Sequence, residues 1–447
     1  MTNGHFFAMD DFAQERIGET DMKLTRPWMM AGLILLAPAS LSDAQAQLLP
    51  GGGGLGSVGQ VVPDTLDQVG DRVGSAVDAT GLDRLSPARL ADRLAAARAA
   101  RISDLLRRHG DRIELDDRRE PARRGVILLT GADDAAVAAL RAAGYGVESE
   151  TVEGIDLPIT RLTPPKDRSL ARALREVRKI APRAQASADN LYFPSGPAPA
   201  LSGMALSGTA LAGGGRIDGR IAGLIDGGVG RHPSLGGPIE QRGFAQGAPR
   251  ASSHGTAVAS LISGEGLVRG AAPGAPLLVA DVYGDDPAGG GAFSIVRALG
   301  WMAARGVRVV TVSLVGPANP LLDGAIRLAR DKGVTVVAAV GNDGPAAPPA
   351  YPASYPGVIA VTGIDGRGRT LPEAGRALHV DFAAPGADMQ AADTQGGKTG
   401  VRGTSFAAPL VAGRLFTRGT LAALRAEAGP SRRGQAPVIC GNCRNND

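Results

Sequence analysis

Short apolar segments alternate with helical segments from residue 220 to about residue 428, and this alternation restricts the possible folds more than any other feature. A segment that is apolar at every position is typical of a strand buried on both faces, and parallel strands need long crossover connections, usually helices. We therefore predict an α/β domain at 218–428 with a mostly parallel sheet and helices on both faces. The predicted strands are 221–225, 277–282, 307–314, 334–340 and 358–362, and the predicted helices are 255–263, 293–305 and 321–332.

Residues 86–195 predict a smaller α+β module before this domain. Ser86-Pro87 is a typical helix start, and a helix rich in Ala, Leu and Arg follows it up to His109-Gly110. From residue 125 the pattern is β-α-β-β-α, with a further strand-like run at 191–193. This order favours a ferredoxin-like arrangement of the module.

Three segments flank these two regions. Residues 47–85 are rich in Gly and predict a flexible linker, and residues 196–217 are rich in Pro, Gly and Ser with almost no charge. Such a stretch is typically exposed and easily cleaved, so we expect processing there. The C-terminal tail, 429–447, contains Cys440 and Cys443. Without two further zinc ligands nearby or a thioredoxin-like context, this C-x-x-C favours a local disulfide.

The first 46 residues have the features of a signal-peptide region, with Met22 as the expected true start. Lys23 and Arg26 precede a short apolar run, and Ala44-Gln45-Ala46 is a small-x-small cleavage site. A membrane-spanning helix needs about 18 or more apolar residues, and this run is shorter. We predict a secreted or periplasmic protein without a stable membrane span.

The charge pattern argues against nucleic acid as a partner. The formal net charge is +4 over 447 residues. The arginines alternate with Asp and Glu instead of forming a basic block, which is typical of a solvated surface. We expect a monomer.

Three stretches place a reactive side chain at a predicted strand end or helix start. Asp226 follows an apolar strand, His254 lies in Ser-His-Gly-Thr, and Ser405 lies in Gly-Thr-Ser-Phe-Ala-Ala-Pro. Taken singly, each has an ordinary interpretation: a capping carboxylate, a structural histidine and an N-cap. Together they are the groups that acyl transfer requires, since a serine nucleophile needs a base and the base needs an orienting carboxylate.

The chain order Asp…His…Ser, with these surrounding motifs, resembles the subtilisin family of serine peptidases over roughly residues 218–428. The resemblance implies that Ser405 is the nucleophile, that His254 is the base and then the acid, and that Asp226 orients His254. The stretch 337–345 resembles the family's oxyanion block, which implies that Asn342 and the Ser405 N–H stabilise the oxyanion. In isolation Asn-Asp-Gly would indicate only a β-turn.

The resemblance also implies where a substrate binds. An extended peptide would add as a strand to one edge segment, and two further residues would wall the primary pocket. The edge residues are Ser313, Leu314, Val315 and Gly316, and the pocket residues are Ala339 and Gly341. The family usually has Gly where Val315 stands. The pocket is therefore expected to be narrower and to prefer a small or medium apolar P1 residue.

By the same resemblance, the module at 86–195 is an inhibitory propeptide that assists folding. The expected partners are protein or peptide substrates and the chain's own propeptide, and the chemistry requires no cofactor and no metal. Asp281, Asp285 and Asp286 lack the spacing of a calcium loop and are expected to be solvated loop acids. His232 is expected to be exposed.

Two rival functions differ in class. A lipase or esterase of the α/β-hydrolase class would need a G-x-S-x-G elbow and the chain order Ser…Asp…His, and the sequence has neither. A catalytically weak or inactive binding module derived from a protease would be favoured by the loss of a triad residue, and all three are present.

Overall fold

The computed structural model describes residues 86–195, 219–429 and 434–446, all of which belong to one compact unit. The predicted signal region, the 47–85 linker and the 196–217 linker lie outside the described residues. We refer to residues 86–195 as the module and to residues 219–429 with 434–446 as the body.

The body is built on a sheet of seven parallel strands. The neighbouring strands, from one edge to the other, are β14, β13, β12, β10, β7, β9 and β8. Their bounds are Ala222–Asp226 (β7), Ile239–Gly243 (β8), Leu277–Asp281 (β9), Val309–Val312 (β10), Thr335–Ala339 (β12), Ile359–Ile364 (β13) and Phe382–Pro385 (β14). Each of the predicted strands is present, and the structure adds β8 and β14 at the edges. The predicted α/β fold is confirmed.

Helices cover both faces of this sheet because the strands are apolar on both. On one face lie α5 (Ala292–Ala304) and α6 (Pro320–Asp331), and on the other α4 (Ser253–Ser263) and α7 (Thr404–Arg418). Successive strand residues enter opposite cores, since strand side chains alternate in direction. In β12, Val336 packs with the α5 and α6 side, and Val337 packs with the α4 and α7 side.

The end of the chain also packs on the body. After α8 (Leu421–Glu427), Ile439 is fully buried in the core on the α4 and α7 side, and its N–H donates to the Ala383 carbonyl oxygen at 2.8 Å. Cys440 and Cys443 are joined by a disulfide, which confirms the predicted local bridge. Two short strands, β15 (Met389–Ala392) and β16 (Lys398–Val401), form an antiparallel pair before α7.

The module consists of a long first helix followed by an antiparallel sheet with two helices. Its elements are α1 (Pro87–Arg108), β1 (Ile113–Leu115), β2 (Pro121–Thr130), α2 (Asp134–Ala142), β3 (Gly146–Val152), β4 (Leu157–Thr163), α3 (Leu170–Ile180) and β5 (Gln185–Asn190). Strand β2 lies between β4 and β5, and β3 pairs with β4. The β-α-β-β-α-β order is that of a ferredoxin-like arrangement.

The last strand of the module differs from the prediction. The strand-like run was expected at 191–193, whereas β5 is Gln185–Asn190, a segment of small and polar residues with little intrinsic preference for a strand. It becomes a strand because it pairs with β2 along most of its length. The apolar run that follows enters the body instead.

Among the described residues, no helix combines the length and apolar character that crossing a membrane requires.

Candidate active site

Asp226 is the last residue of β7 and is fully buried. The Gly227 N–H donates to its Oδ1 at 2.7 Å. This bond and the rigid strand behind it hold the carboxylate at the carboxyl end of the sheet, where reactive groups of open α/β folds collect.

His254 lies in the first turn of α4, which the Ser252 side chain caps by accepting the Gly255 N–H at 2.9 Å. Its Nδ1 lies 2.8 Å from Asp226 Oδ1 and 3.0 Å from Oδ2. Nδ1–H donation to the carboxylate leaves Nε2 as the acceptor. Nε2 is buried and has no hydrogen-bond partner among the described residues, so it is free to take a proton.

Ser405 lies in the first turn of α7 and is fully buried. Its Oγ is 2.8 Å from Ser195 Oγ and 3.2 Å from the carbonyl oxygen of Ser313. The Ser405 N–H faces the Ser195 carbonyl oxygen, with an N···O distance of 3.4 Å. The nucleophile predicted from the sequence is therefore in contact with the last described residue of the module.

Asn342 follows β12 and is held through its side-chain oxygen. The Thr404 N–H donates to Asn342 Oδ1 at 3.1 Å, which ties this side chain to the start of the helix that carries Ser405. Asn342 Nδ2 is buried and has no hydrogen-bond partner within the part of the chain that the structure describes. A buried amide donor without a partner is costly, and it is what an oxyanion site needs before the substrate oxygen becomes charged.

The predicted peptide-binding edge is occupied by the chain itself. The short strand β6 (Phe193–Pro194) pairs antiparallel with β11 (Leu314–Val315). The Ser195 N–H donates to the Ser313 carbonyl oxygen at 3.1 Å. On its other side, the Tyr192 N–H donates to the Gly290 carbonyl oxygen at 2.9 Å. The segment thus lies as an extra strand between two backbone edges, the arrangement of a peptide bound by β-augmentation.

Tyr192 anchors this strand. Its ring is fully buried, its OH donates to the Pro317 carbonyl oxygen at 2.8 Å, and its own carbonyl oxygen accepts the Tyr283 OH at 2.7 Å. The ring lies against Gly316, where a Cβ would come within 2.7 Å of Tyr192 Cδ1. Only glycine leaves room for the ring at this place.

The residues predicted to wall the primary pocket lie at the expected end of the sheet. Ala339 ends β12 and is fully buried, and Gly341 follows it. A Cβ at Gly341 would lie 3.4 Å from Val315 Cγ1. The side chain of Val315 therefore lies beside Gly341.

The expectations for Asp281, Asp286 and His232 are wrong, whereas Asp285 is exposed as expected. Asp281 and Asp286 are buried: Asp281 accepts the Tyr283 N–H at 2.9 Å, and Asp286 pairs with Arg123 of the module at 2.9 Å. His232 is also buried, with Nδ1 accepting the Ser234 N–H. Distant segments also supply partners: the Arg250 N–H donates to Asp281 Oδ2 at 2.7 Å, and His232 Nε2 lies 2.9 Å from the Gly397 carbonyl oxygen. Sequence spacing alone does not reveal them.

The site residues predicted from the sequence did not include Ser195 or Tyr192. A signal was present, because Leu-Tyr-Phe-Pro-Ser is an apolar run that directly precedes the uncharged stretch expected to be processed. Nothing in the local pattern, however, indicates which edge such a run joins.

Known proteins resemble this chain in sequence and in fold. The model of the subtilase family matches residues 221–416. Subtilisin BL of Lederbergia lenta is 35% identical over 201 residues, which is 42% of this chain and 72% of that protein. Subtilisin E of Bacillus subtilis (strain 168) is 33% identical over 206 residues, which is 42% of this chain and 52% of that protein.

Among solved structures, fervidolysin from Fervidobacterium pennivorans, a keratinolytic enzyme related to subtilisin, superposes with a TM-score of 0.52 at 20% identity. The match covers 66% of this chain and 54% of that chain. At this identity the likeness concerns the fold.

Proposed function

Because this chain belongs to the subtilase family of serine peptidases, we propose that it is a serine endopeptidase that cleaves its own precursor, with Asp226, His254 and Ser405 as the triad. The observation that carries the proposal is the position of Ser195. Its carbonyl oxygen faces the Ser405 N–H, and its backbone is paired with the edge segment at Ser313.

The hydrogen bonds support the following role for each group. Ser405 Oγ turns from Ser195 Oγ to His254 Nε2 and transfers its proton to Nε2. The oxygen then forms a bond to the carbonyl carbon of the peptide bond that is cleaved. Asp226 holds the imidazole through Nδ1 and stabilises the imidazolium that forms. The carbonyl oxygen becomes an oxyanion that accepts hydrogen bonds from Asn342 Nδ2 and the Ser405 N–H.

Collapse of this intermediate breaks the C–N bond. The proton on His254 passes to the leaving amine, and the acyl group remains on Ser405 Oγ. A water molecule then gives its proton to His254 and attacks the ester carbon, and the proton returns to Ser405 as the acid is released. No step requires a cofactor.

The bond cleaved in the precursor is Ser195–Gly196, at the start of the predicted processing region. Ser195 occupies the P1 position, since it is the residue whose carbonyl faces the nucleophile. Its small side chain agrees with the pocket narrowed by Val315, and Tyr192 occupies P4 against Gly316. We expect other substrates to be unfolded or extended peptide segments with a small residue at P1 and a large apolar residue at P4.

The module then acts as the bound propeptide. The end of β5 meets the first residues of two body helices: Asp189 Oδ1 accepts the Phe293 N–H of α5 at 2.9 Å, and Asn190 Oδ1 accepts from Asn319 Nδ2 at the start of α6 at 3.0 Å. Helix N-termini present free N–H groups and favour a negative partner. These contacts support a bound position of the module in which its tail lies along the cleft.

The features of residues 1–46 support export of the precursor to the periplasm or the medium, and the bridge between Cys440 and Cys443 is compatible with an oxidising compartment.

The test is N-terminal sequencing of the protein made from residues 47–447, with and without Ser405→Ala. We expect a new N-terminus at Gly196 with Ser405 intact and none in the variant, since loss of this nucleophile in subtilisin costs about 10⁶-fold in kcat. Ser195→Ala is the matched control, because it keeps a small P1 residue and should still be cut at the same bond.

Processing that persists in Ser405→Ala under protease-free conditions would overturn the proposal. Labelling of Ser405 by a fluorophosphonate separates an active peptidase from an inactive binding module.

A further inference from the structure

Helix α1 is an addition to the sheet module and lies against the rim of the active site. One face carries its buried apolar residues, Leu90, Leu94 and Leu105. Arg98 and Arg101 fall on the same face, because residues three, four and seven apart share one side of a helix. The face that packs inward therefore combines leucines with two arginines.

The two arginines bind the residue that follows the oxyanion asparagine. Arg101 Nη2 lies 2.9 Å from Asp343 Oδ1, and Arg98 Nε lies 3.4 Å from Asp343 Oδ2. The side chains are partly buried, with 25–28% of their surfaces exposed. One carboxylate of the body is thus shared by two cations of the module.

An apolar contact lies beside this pair. Leu94 packs onto Gly344, where a Cβ would come within 2.6 Å of Leu94 Cδ1. The absence of a side chain at Gly344 forms the notch that receives Leu94, which is only 5% exposed. The leucine and the arginines together seat α1 on the loop at 342–344.

The same helix also covers the strand in the cleft. The Arg101 guanidinium lies over the Phe193 ring, 6.0 Å from its centroid. Leu105 and Leu106 form a cluster with Leu191 and Phe193. Arg98 is further tied to Glu120 of the module at 2.9 Å. Helix α1 therefore joins the oxyanion loop, the bound strand and the rest of the module.

We propose that the surface formed by Asp343 and Gly344 is a docking site for α1, and that Arg98 and Arg101 make the docked helix a salt-dependent latch on the cleaved propeptide. The inference rests on the proposed function, because it concerns what happens after Ser195–Gly196 is cut.

A physical reason supports a latch rather than a passive cover. After cleavage, the tail can leave the cleft while the docked α1 still holds the module on the body. The tail then rebinds readily, because its effective concentration near the cleft stays high. Ion pairs that are a quarter exposed are weakened by salt, since screening acts on charges that reach solvent. Release of the tail should thus be slow at low ionic strength and faster in salt.

The experiment uses the full precursor and follows the lag between self-cleavage and the appearance of peptidase activity on an added peptide. We expect Arg98→Gln with Arg101→Gln to shorten the lag about tenfold, as the loss of two partly buried ion pairs should. The wild-type lag should shorten as NaCl is raised, and the lag of the variant should respond much less.

The matched control is Arg107→Gln with Arg108→Gln, which removes the same charge from the same helix. These arginines pair with Asp104 within α1 and should leave the lag and its salt dependence unchanged. Cleavage at Ser195–Gly196 in each variant shows that its module has folded.

The outcomes separate the two proposals. Absence of self-cleavage in the wild type would overturn the proposed function. Normal self-cleavage with an equal lag in wild type and in the Arg98 and Arg101 variant, or an equal shortening by the control pair, would overturn the latch alone.

Discussion

The module and the body bury their sheets in different ways. Both faces of the body's parallel sheet are covered by helices of the body itself, whereas the module's antiparallel sheet has its own helices on one face only. In β2, Ile127 and Leu129 belong to the module's core, and Leu128 between them belongs to the large core cluster of the body. The module therefore completes its burial only by docking.

Under the proposed function, this difference would let one chain contain a stable enzyme and a removable inhibitor. A sheet with one uncovered apolar face is marginal in water, and it gains stability from a partner that covers that face. The body retains the α4 and α7 core when the module leaves, but Leu128, Val152 and Ile159 lose their cover. Loss of this cover would therefore be costly for the module, as expected of the bound inhibitor that we propose.

The largest expected effect concerns the chemistry of the body. Asn342→Ala should lower kcat by about 10²–10³-fold with little change in KM, because Nδ2 interacts only with the charged oxygen of the transition state. Steady-state kinetics of the mature enzyme on a peptide substrate provide the measurement. Docking of the module should be unaffected, so unchanged inhibition by the released module serves as the control. An unchanged kcat would show that Asn342 is only a turn residue.

The next largest effect distinguishes the two faces of the module's sheet. Leu128→Ala should weaken inhibition by about thirtyfold, since truncating a buried leucine costs roughly 2 kcal/mol or more. Its effect on the thermal stability of the released module should be small, because that face is then exposed. Leu129→Ala should instead lower the melting temperature of the released module.

Inhibition constants and melting curves of the two variants, measured side by side, test this assignment. A fall in melting temperature for Leu128→Ala with none for Leu129→Ala would show that the faces are assigned the wrong way round.

The smallest effect concerns a charge at the boundary between module and body. Asp189 is buried at the start of α5, and this burial raises the pKa of its carboxyl above the usual 3.8. A carboxyl group whose pKa is higher in the complex than in the free module strengthens binding at a pH below its ordinary pKa. This contribution to binding is lost as the pH rises through the raised pKa. Inhibition should therefore tighten by a few fold as the pH falls from neutral toward about 4.

Asp189→Asn should flatten this pH dependence, because the amide keeps an acceptor for the Phe293 N–H and carries no charge. Inhibition constants measured from neutral to acid pH provide the test, with Asp133→Asn as a control at the exposed start of α2. Parallel pH profiles for the wild type and Asp189→Asn would contradict the assignment.

Sequence-based prediction succeeded where the local pattern and the tertiary environment agree. The five strands that the sequence predicts in the body are mainly apolar at consecutive positions, and each is a strand of the parallel sheet. The last strand of the module was predicted at 191–193, whereas β5 is Gln185–Asn190. This segment has no apolar pattern of its own and becomes a strand by pairing with β2. The burial of Asp286 was missed for a related reason, since Arg123 belongs to another part of the chain.

The sequence by itself determined the fold class of the body and which residues are candidates for the triad, because strand ends and helix starts are local features and reactive side chains stand at them. Only the tertiary structure decided that Asp226 and His254 lie 2.8 Å apart, that Ser195 faces Ser405, and that α1 reaches Asp343. These contacts join segments far apart in the chain. Their register depends on the packing of whole elements, which no short stretch of sequence encodes.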